Sequence, residues 1–258
     1  MQLIEFKAGN KNEIRQSLAN YCQVPIGKIN RNSIKEIYEK YKNECHGISD
    51  ALWRKFNPYT PRETQSTFKV YRYHKTGTNG QKEWFSKGLL GQDRGIRNYI
   101  RNLYKFYDLD FSKFEERLAS ECIEKNILDK DNGPYAFMCY KNAKEHHGFN
   151  ASEVLEDVRC DEMFKLRRLA EAHLLPTVVI FWVQLPIEQL DAYLLCYCEM
   201  LLEIHSEYSS LAINKDIPFE NIECVKTLPK LQKKPHINNY EFSGTHIFSP
   251  VMPNKALT

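Results

Sequence analysis

Apolar residues in this chain fall into two patterns: short runs that are continuous or alternating, and longer stretches in which they recur every three and four positions. The clearest run is TVVIFWVQL, residues 177–185, rich in β-branched and aromatic side chains and bounded by Pro176 and Pro186. It predicts a central strand covered on both faces. Residues 68–74 predict another strand, with Arg72 and His74 on one face and Tyr71 and Tyr73 on the other. A guanidinium beside an imidazole is unfavourable on a dry, unpaired face, so that face is expected to line a cleft. Residues 135–140, YAFMCY, follow the turn Asp131-Asn132-Gly133-Pro134 and predict a compact buried strand. Residues 217–225 read as a turn leading into a further strand.

Helical periodicity accounts for most of the rest. Ser33 and Glu36 have the form of a capping box opening a helix to about Tyr41. Ser49 is placed to cap a second helix, 50–56, which Asn57-Pro58 stops. An amphipathic pattern spans 95–107, and Ser112 with Glu115 opens another helix to about Asn126. Short and long helices are expected at 141–147 and 152–173, and Pro186 introduces one over 187–208. Beyond Leu228 the chain reads as irregular, or as one appended strand near 240–248. The organisation expected is a helical N-terminal region, 1–60, followed by an α+β domain, 61–258, with an irregular tail.

Composition narrows the function classes. The 42% hydrophobic and 12% aromatic content of these 258 residues fits a chain that folds, and no apolar run is long enough to span a bilayer. A net charge of +3 supplies no global field for nucleic acid or membrane. Arg94, Arg97, Arg101 and Lys105 recur at helical spacing, read as a solvated helix face in preference to a phosphate site. The eight cysteines are scattered without zinc spacing, which points to reduced thiols, a reducing cytoplasmic compartment and no metal. His146-His147 has no acidic or cysteine partner at ligand spacing.

Three segments carry the candidate chemistry in chain order: the strand with Arg72 and His74 followed by Gly88-Leu89-Leu90, the strand 135–140 followed by Lys141-Asn142-Ala143-Lys144, and Ile217-Pro218-Phe219-Glu220-Asn221-Ile222. This order resembles the ADP-ribosyltransferase superfamily, especially its DNA-targeting toxin branch and the related RNA 2′-phosphotransferases. The resemblance covers about residues 68–228 and implies a split central β-sheet with flanking helices and NAD as cosubstrate. It also implies transfer of ADP-ribose to a macromolecular acceptor, a protein in preference to a nucleic acid. With the richness in Lys, Asn and Ile, it points to a bacterial toxin or an effector delivered into a target cell.

In that setting a carboxylate near the ribose stabilises the positive charge that develops as the glycosidic bond breaks, worth roughly 3–4 kcal/mol. Glu220 is the first candidate and Glu223 the second; three apart on a strand they face opposite ways, so one of them is catalytic. By resemblance His74 hydrogen-bonds the nicotinamide ribose, while Arg72 holds a dinucleotide phosphate or takes the first-strand role itself. Tyr135, Tyr140 or Trp84 stacks on nicotinamide, and Tyr71 and Tyr73 are further cofactor-binding candidates. No Ser-Thr-Ser strand motif and no Glu-x-Glu pair is present. Two other readings stand beside transfer: an NAD glycohydrolase, in which water replaces the acceptor, and a non-enzymatic interaction module on the same scaffold. A nucleic-acid-processing phosphotransferase would need Arg94, Arg97 and Arg101 beside the pocket.

Overall fold

A computed structural model describes residues 2–44, 46–62, 66–106, 134–145, 167–168, 170–204, 211–213 and 215–230. Its α+β architecture is built on a four-stranded mixed sheet. Strand β1, Gln2–Phe6, pairs in parallel with β2, Ser66–Thr78. Strand β4, Leu175–Leu185, runs antiparallel between β2 and β6, Ile222–Thr227. β4 is therefore central, and Phe181, Val178 and Val179 are fully buried. A small second sheet pairs β3, Tyr135–Ala136, with β5, Leu211–Ala212.

The N-terminal segment contributes a strand to this sheet, where sequence patterning predicted a helical region over 1–60. In β1, Ile4 and Phe6 turn inward and Glu5 and Lys7 outward, a period of two too short to register beside its polar neighbours. Phe6, with no exposed surface, sits at the centre of an aromatic cluster with Tyr21, Phe68, Tyr193 and Tyr197, at centroid separations from 5.4 to 6.2 Å. Edge-to-face geometry with Tyr193 and Tyr197 adds about 0.5–1.5 kcal/mol per pair to what burial supplies. Residues on both sides of position 60 thus share one core.

Helix α1, Lys11–Tyr21, opens on Asn10, whose side chain accepts from the amides of Asn12 and Glu13 at 2.9 and 3.0 Å. Glu13 reaches back to the Gly9 amide at 2.9 Å, completing a reciprocal cap. Helix α2, Arg31–Tyr41, is capped by Asn30 through the Ser33 amide at 3.0 Å, so Ser33 lies within the first turn and is not the cap. Helix α3, Ile48–Phe56, begins at Gly47, at φ 85°, with no cap from its own segment. Asp191 supplies it: its carboxylate accepts from the amides of Gly47 and Ser49 at 2.9 and 2.8 Å.

Helix α4, Gln92–Phe106, matches the amphipathic stretch expected there. The strand expected over 135–140 is shorter, because the chain bends at Met138 and the Tyr140 amide donates to the Ala8 carbonyl as α5, Tyr140–Glu145, begins. Helix α6, Leu190–Leu202, packs against α1, α2 and α3. It stops well before residue 208 because Glu203 turns left-handed, at φ 59°, where Lys11 and Arg31 pair with its carboxylate at 3.1 and 3.6 Å. The helix expected over 112–126, the turn 131–133, His146-His147, most of 152–173 and the strand near 240–248 lie outside the described residues. Among the described residues no helix is long and apolar enough to cross a membrane.

Candidate functional site

Strand β2 carries four of the nine candidate residues, Tyr71, Arg72, Tyr73 and His74, and its upper half is where the sheet forks. Below Val70 its edge is taken by β1; above it, Tyr73 exchanges both backbone hydrogen bonds with Phe137, at 3.1 and 2.9 Å. From Phe137 the segment leads back through β3 to β5, and Ile213 extends that pairing to the Pro134 carbonyl at 3.1 Å. The chain then reaches Ile217, which exchanges backbone hydrogen bonds with Leu89 at 2.9 and 2.8 Å. From there it enters β6 through a 3-10 turn, Phe219–Asn221.

His74 stands at this fork. Its Nδ1 lies 2.7 Å from the Tyr135 carbonyl oxygen. A carbonyl only accepts, so Nδ1 carries a proton and donates it here. Tyr135 itself is 43% exposed.

Arg72 is placed differently. It is 7% exposed, with its guanidinium carbon 4.9 Å from the centre of the Tyr193 ring of α6. The face expected to be a cleft is closed by that helix at Arg72, which is not offered to a dinucleotide at the surface. Its Nε and Nη1 have no hydrogen-bond partner among the described residues, and the hydroxyls of Tyr193 and Tyr197 interact with each other but with no further partner there. A cation–π contact returns about 0.5–2 kcal/mol, less than the several kcal/mol needed to take a guanidinium out of water.

Across the strand, Tyr71 meets a charged cluster. Its hydroxyl donates to Glu5 at 3.3 Å, and Lys7 and Lys69 lie 4.4 and 5.2 Å from its ring centre. Lys7 bridges Glu5 and Glu223 at 3.6 and 3.7 Å, and Lys69 pairs with Glu5 at 3.2 Å while lying 4.4 Å from the ring centre of Trp182. Burial first, then the carboxylates of Glu223 and Glu5, pushes the Tyr71 phenol far above its ordinary range. Glu223 therefore belongs to the side of β2 opposite Arg72. Glu5, Lys7 and Lys69 are members that sequence reasoning missed; alternation over residues 3–8 was the available signal.

Glu220 is exposed in its 3-10 turn, which is anchored by Asn221 donating to the Trp182 carbonyl at 3.2 Å. Trp84 is 6% exposed and packs edge-on against Tyr99 and Phe106, a core role in place of a stacking platform. The Tyr73 hydroxyl oxygen accepts from the Ala8 N–H at 3.1 Å, and the ring meets that of Tyr140 at 5.9 Å. The structure thus brings His74 and Tyr135 together, joins Tyr71 to Glu223, joins Tyr73 to Tyr140, and leaves Arg72 and Trp84 in separate packed settings.

The glycines after β2 serve packing. Gly88 sits at φ 85°, and a Cβ there would lie 2.2 Å from the Ile217 carbonyl oxygen. The amides of Gly88, Leu89 and Gly91 donate to Phe85, Ile217 and the Asp216 carboxylate, so these three are already engaged in the fold. Arg94 closes on the same Asp216 at 2.9 Å. Among the described residues no group of three or more His, Cys, Asp or Glu side chains is placed to hold a metal ion. Comparison of the chain with protein-family models, with curated proteins and with solved structures gave no match.

Proposed function

We propose that the protein is an ADP-ribosyltransferase that uses NAD as substrate at the fork of the sheet. The observation that carries this reading is the His74 Nδ1 contact with the Tyr135 carbonyl at 2.7 Å, which fixes the ring at the point where β3 leaves β2. The residues fit part of the substrate. His74, held through Nδ1, is the residue assigned to a ribose hydroxyl, and Tyr135 is 43% exposed beside it, whereas the diphosphate would have to be held by groups other than the amides of Gly88, Leu89 and Gly91.

NAD supplies the bond that breaks, between the ribose C1′ and the nicotinamide nitrogen, which leaves with the bonding pair. A nucleophile of a macromolecular acceptor forms the new bond to C1′ and loses its proton. Glu220, exposed in the turn before β6, is the carboxylate assigned to the developing positive charge. Glu223 is already engaged by Lys7 and Tyr71 and serves as its control.

The test is nicotinamide release from NAD by the full chain, with and without a cell lysate, for wild type, His74→Ala, Glu220→Gln and Glu223→Gln. Transfer requires lysate-dependent release that falls on the order of a hundredfold or more in Glu220→Gln and much less in Glu223→Gln. Release without lysate makes the protein an NAD glycohydrolase. A non-enzymatic interaction module is the second reading, favoured by the enclosure of Arg72 under α6 and by the separation of Arg72 from Glu223. Absence of both turnover and calorimetric NAD binding would decide for it.

A further inference from the structure

Arg72, Tyr193 and Tyr197 form a buried polar group in which the guanidinium N–H donors meet no acceptor among the described residues. The guanidinium has donors and no acceptor, and its Nε and Nη1 are both enclosed without a partner. Tyr193 and Tyr197 are 4% and 0% exposed, their rings are 5.2 Å apart, and their enclosed hydroxyls interact with each other but meet no further partner among the described residues. Arg72 lies against the face of Tyr193, which screens its charge without satisfying its N–H groups.

We infer that Arg72, Tyr193 and Tyr197 enclose a small inorganic anion between β2 and α6. The unmet chemistry is of one sign: a fixed positive charge and N–H donors on two guanidinium nitrogens, beside a pair of hydroxyls of which one proton can serve the other oxygen and the second is left to donate onward. An anion satisfies all of these at once, and a buried cation without one is the costliest state open to this core. The Arg72 charge acts on both phenols, opposing the upward push that burial gives each, so all three groups lie within electrostatic reach of one another. The anion fixes α6 to β2, next to the Phe6 cluster. This inference does not rest on the transferase reading, since an NAD diphosphate would need an opening that Arg72, at 7% exposure, does not have.

The experiment compares thermal unfolding of the full chain, exhaustively dialysed into gluconate, with the same protein given chloride, bromide or phosphate at constant ionic strength. The expected result is a saturable rise in Tm with one of the small anions that is absent in Arg72→Met and needs at least tenfold more anion in Tyr193→Phe. Equal Tm in all four salts, or an unchanged anion response in Arg72→Met, overturns the inference. Should Arg72→Met fail to fold, crystals of wild type grown in bromide decide it. An anomalous peak within hydrogen-bonding distance of Arg72 and one of the two hydroxyls supports the site, and water alone or an empty gap there refutes it.

Discussion

Asp191 gives the sharpest quantitative expectation, because one side chain of α6 caps a helix more than a hundred residues earlier. Its two oxygens receive the amides of Gly47 and Ser49 at 2.9 and 2.8 Å, and α3 has no cap from its own chain segment. Each hydrogen bond to a charged acceptor contributes about 1.5–3 kcal/mol. The carboxylate is half-buried, so water recovers part of the loss when it is removed. Asp191→Ala should therefore cost about 2–3 kcal/mol, near the lower end of the two bonds taken together. For a chain of this size that lowers Tm by roughly 5–10 °C.

The pH dependence supplies a second reading of the same contact. Burial alone would raise the Asp191 carboxyl, but the Ser49 hydroxyl and the two amides outweigh it and hold the group below its usual value. A depressed acid stabilises the fold above its unfolded pKa, about 3.9, and loses that contribution as pH falls through the folded value. Urea unfolding of wild type and Asp191→Asn at several pH values should show a gap that is full at neutral pH and narrows below about pH 4. An Asp191→Ala loss under about 0.5 kcal/mol, the size of an ordinary surface change, or a gap to Asp191→Asn that does not change with pH, would refute the capping argument.

Two further outcomes follow from other contacts. Gly88→Ala should destabilise by about 1–2 kcal/mol from the left-handed backbone alone, and by more as the Leu89–Ile217 pair is pushed apart, whereas Gly27→Ala, with nothing within 4 Å of its added Cβ, should be much milder in the same urea assay. In an ultraviolet pH titration, Tyr21, pushed up to about 12 chiefly by burial, and Tyr71 and Tyr73, pushed further, should stay protonated while unfolded tyrosine ionises near 10. Their raised values make stability fall as pH rises above about 10; phenolate signal from all tyrosines at that pH in folded protein would contradict the burial.

The elements legible in the sequence are those whose pattern is long or whose composition is extreme. β4 declares itself by nine consecutive strand-forming positions between prolines, and α4 by its recurrence of aromatics and aliphatics. β1 is too short for its alternation to stand out, and with it goes the whole N-terminal contribution to the sheet. Ser33 and Ser49 look like caps by residue type, but the choice is made by Asn30 three positions earlier and by Asp191 in another helix. Placing Arg72 and His74 on one side of β2 follows from periodicity; that the same side is packed by α6 at Arg72 depends on a helix distant in sequence. The Tyr135 carbonyl beside His74 is likewise a product of tertiary pairing, invisible to any local pattern.

The ladder between β2 and β4 runs from Phe68 against Leu185 to Thr78 against Leu175. Closing the intervening excursion of roughly a hundred residues costs about 3 kcal/mol more entropy than a four-residue hairpin would. During synthesis at about 5–20 residues per second, β2 must wait on the order of 5–20 s for its central partner to be made. Val70, Tyr71 and Tyr73, all buried in the finished fold, lack their β4 neighbours for that interval. The nascent chain therefore presents a sticky strand long before it can bury it, and chaperone supply, more than final stability, should govern how much of it is recovered intact from an expressing cell.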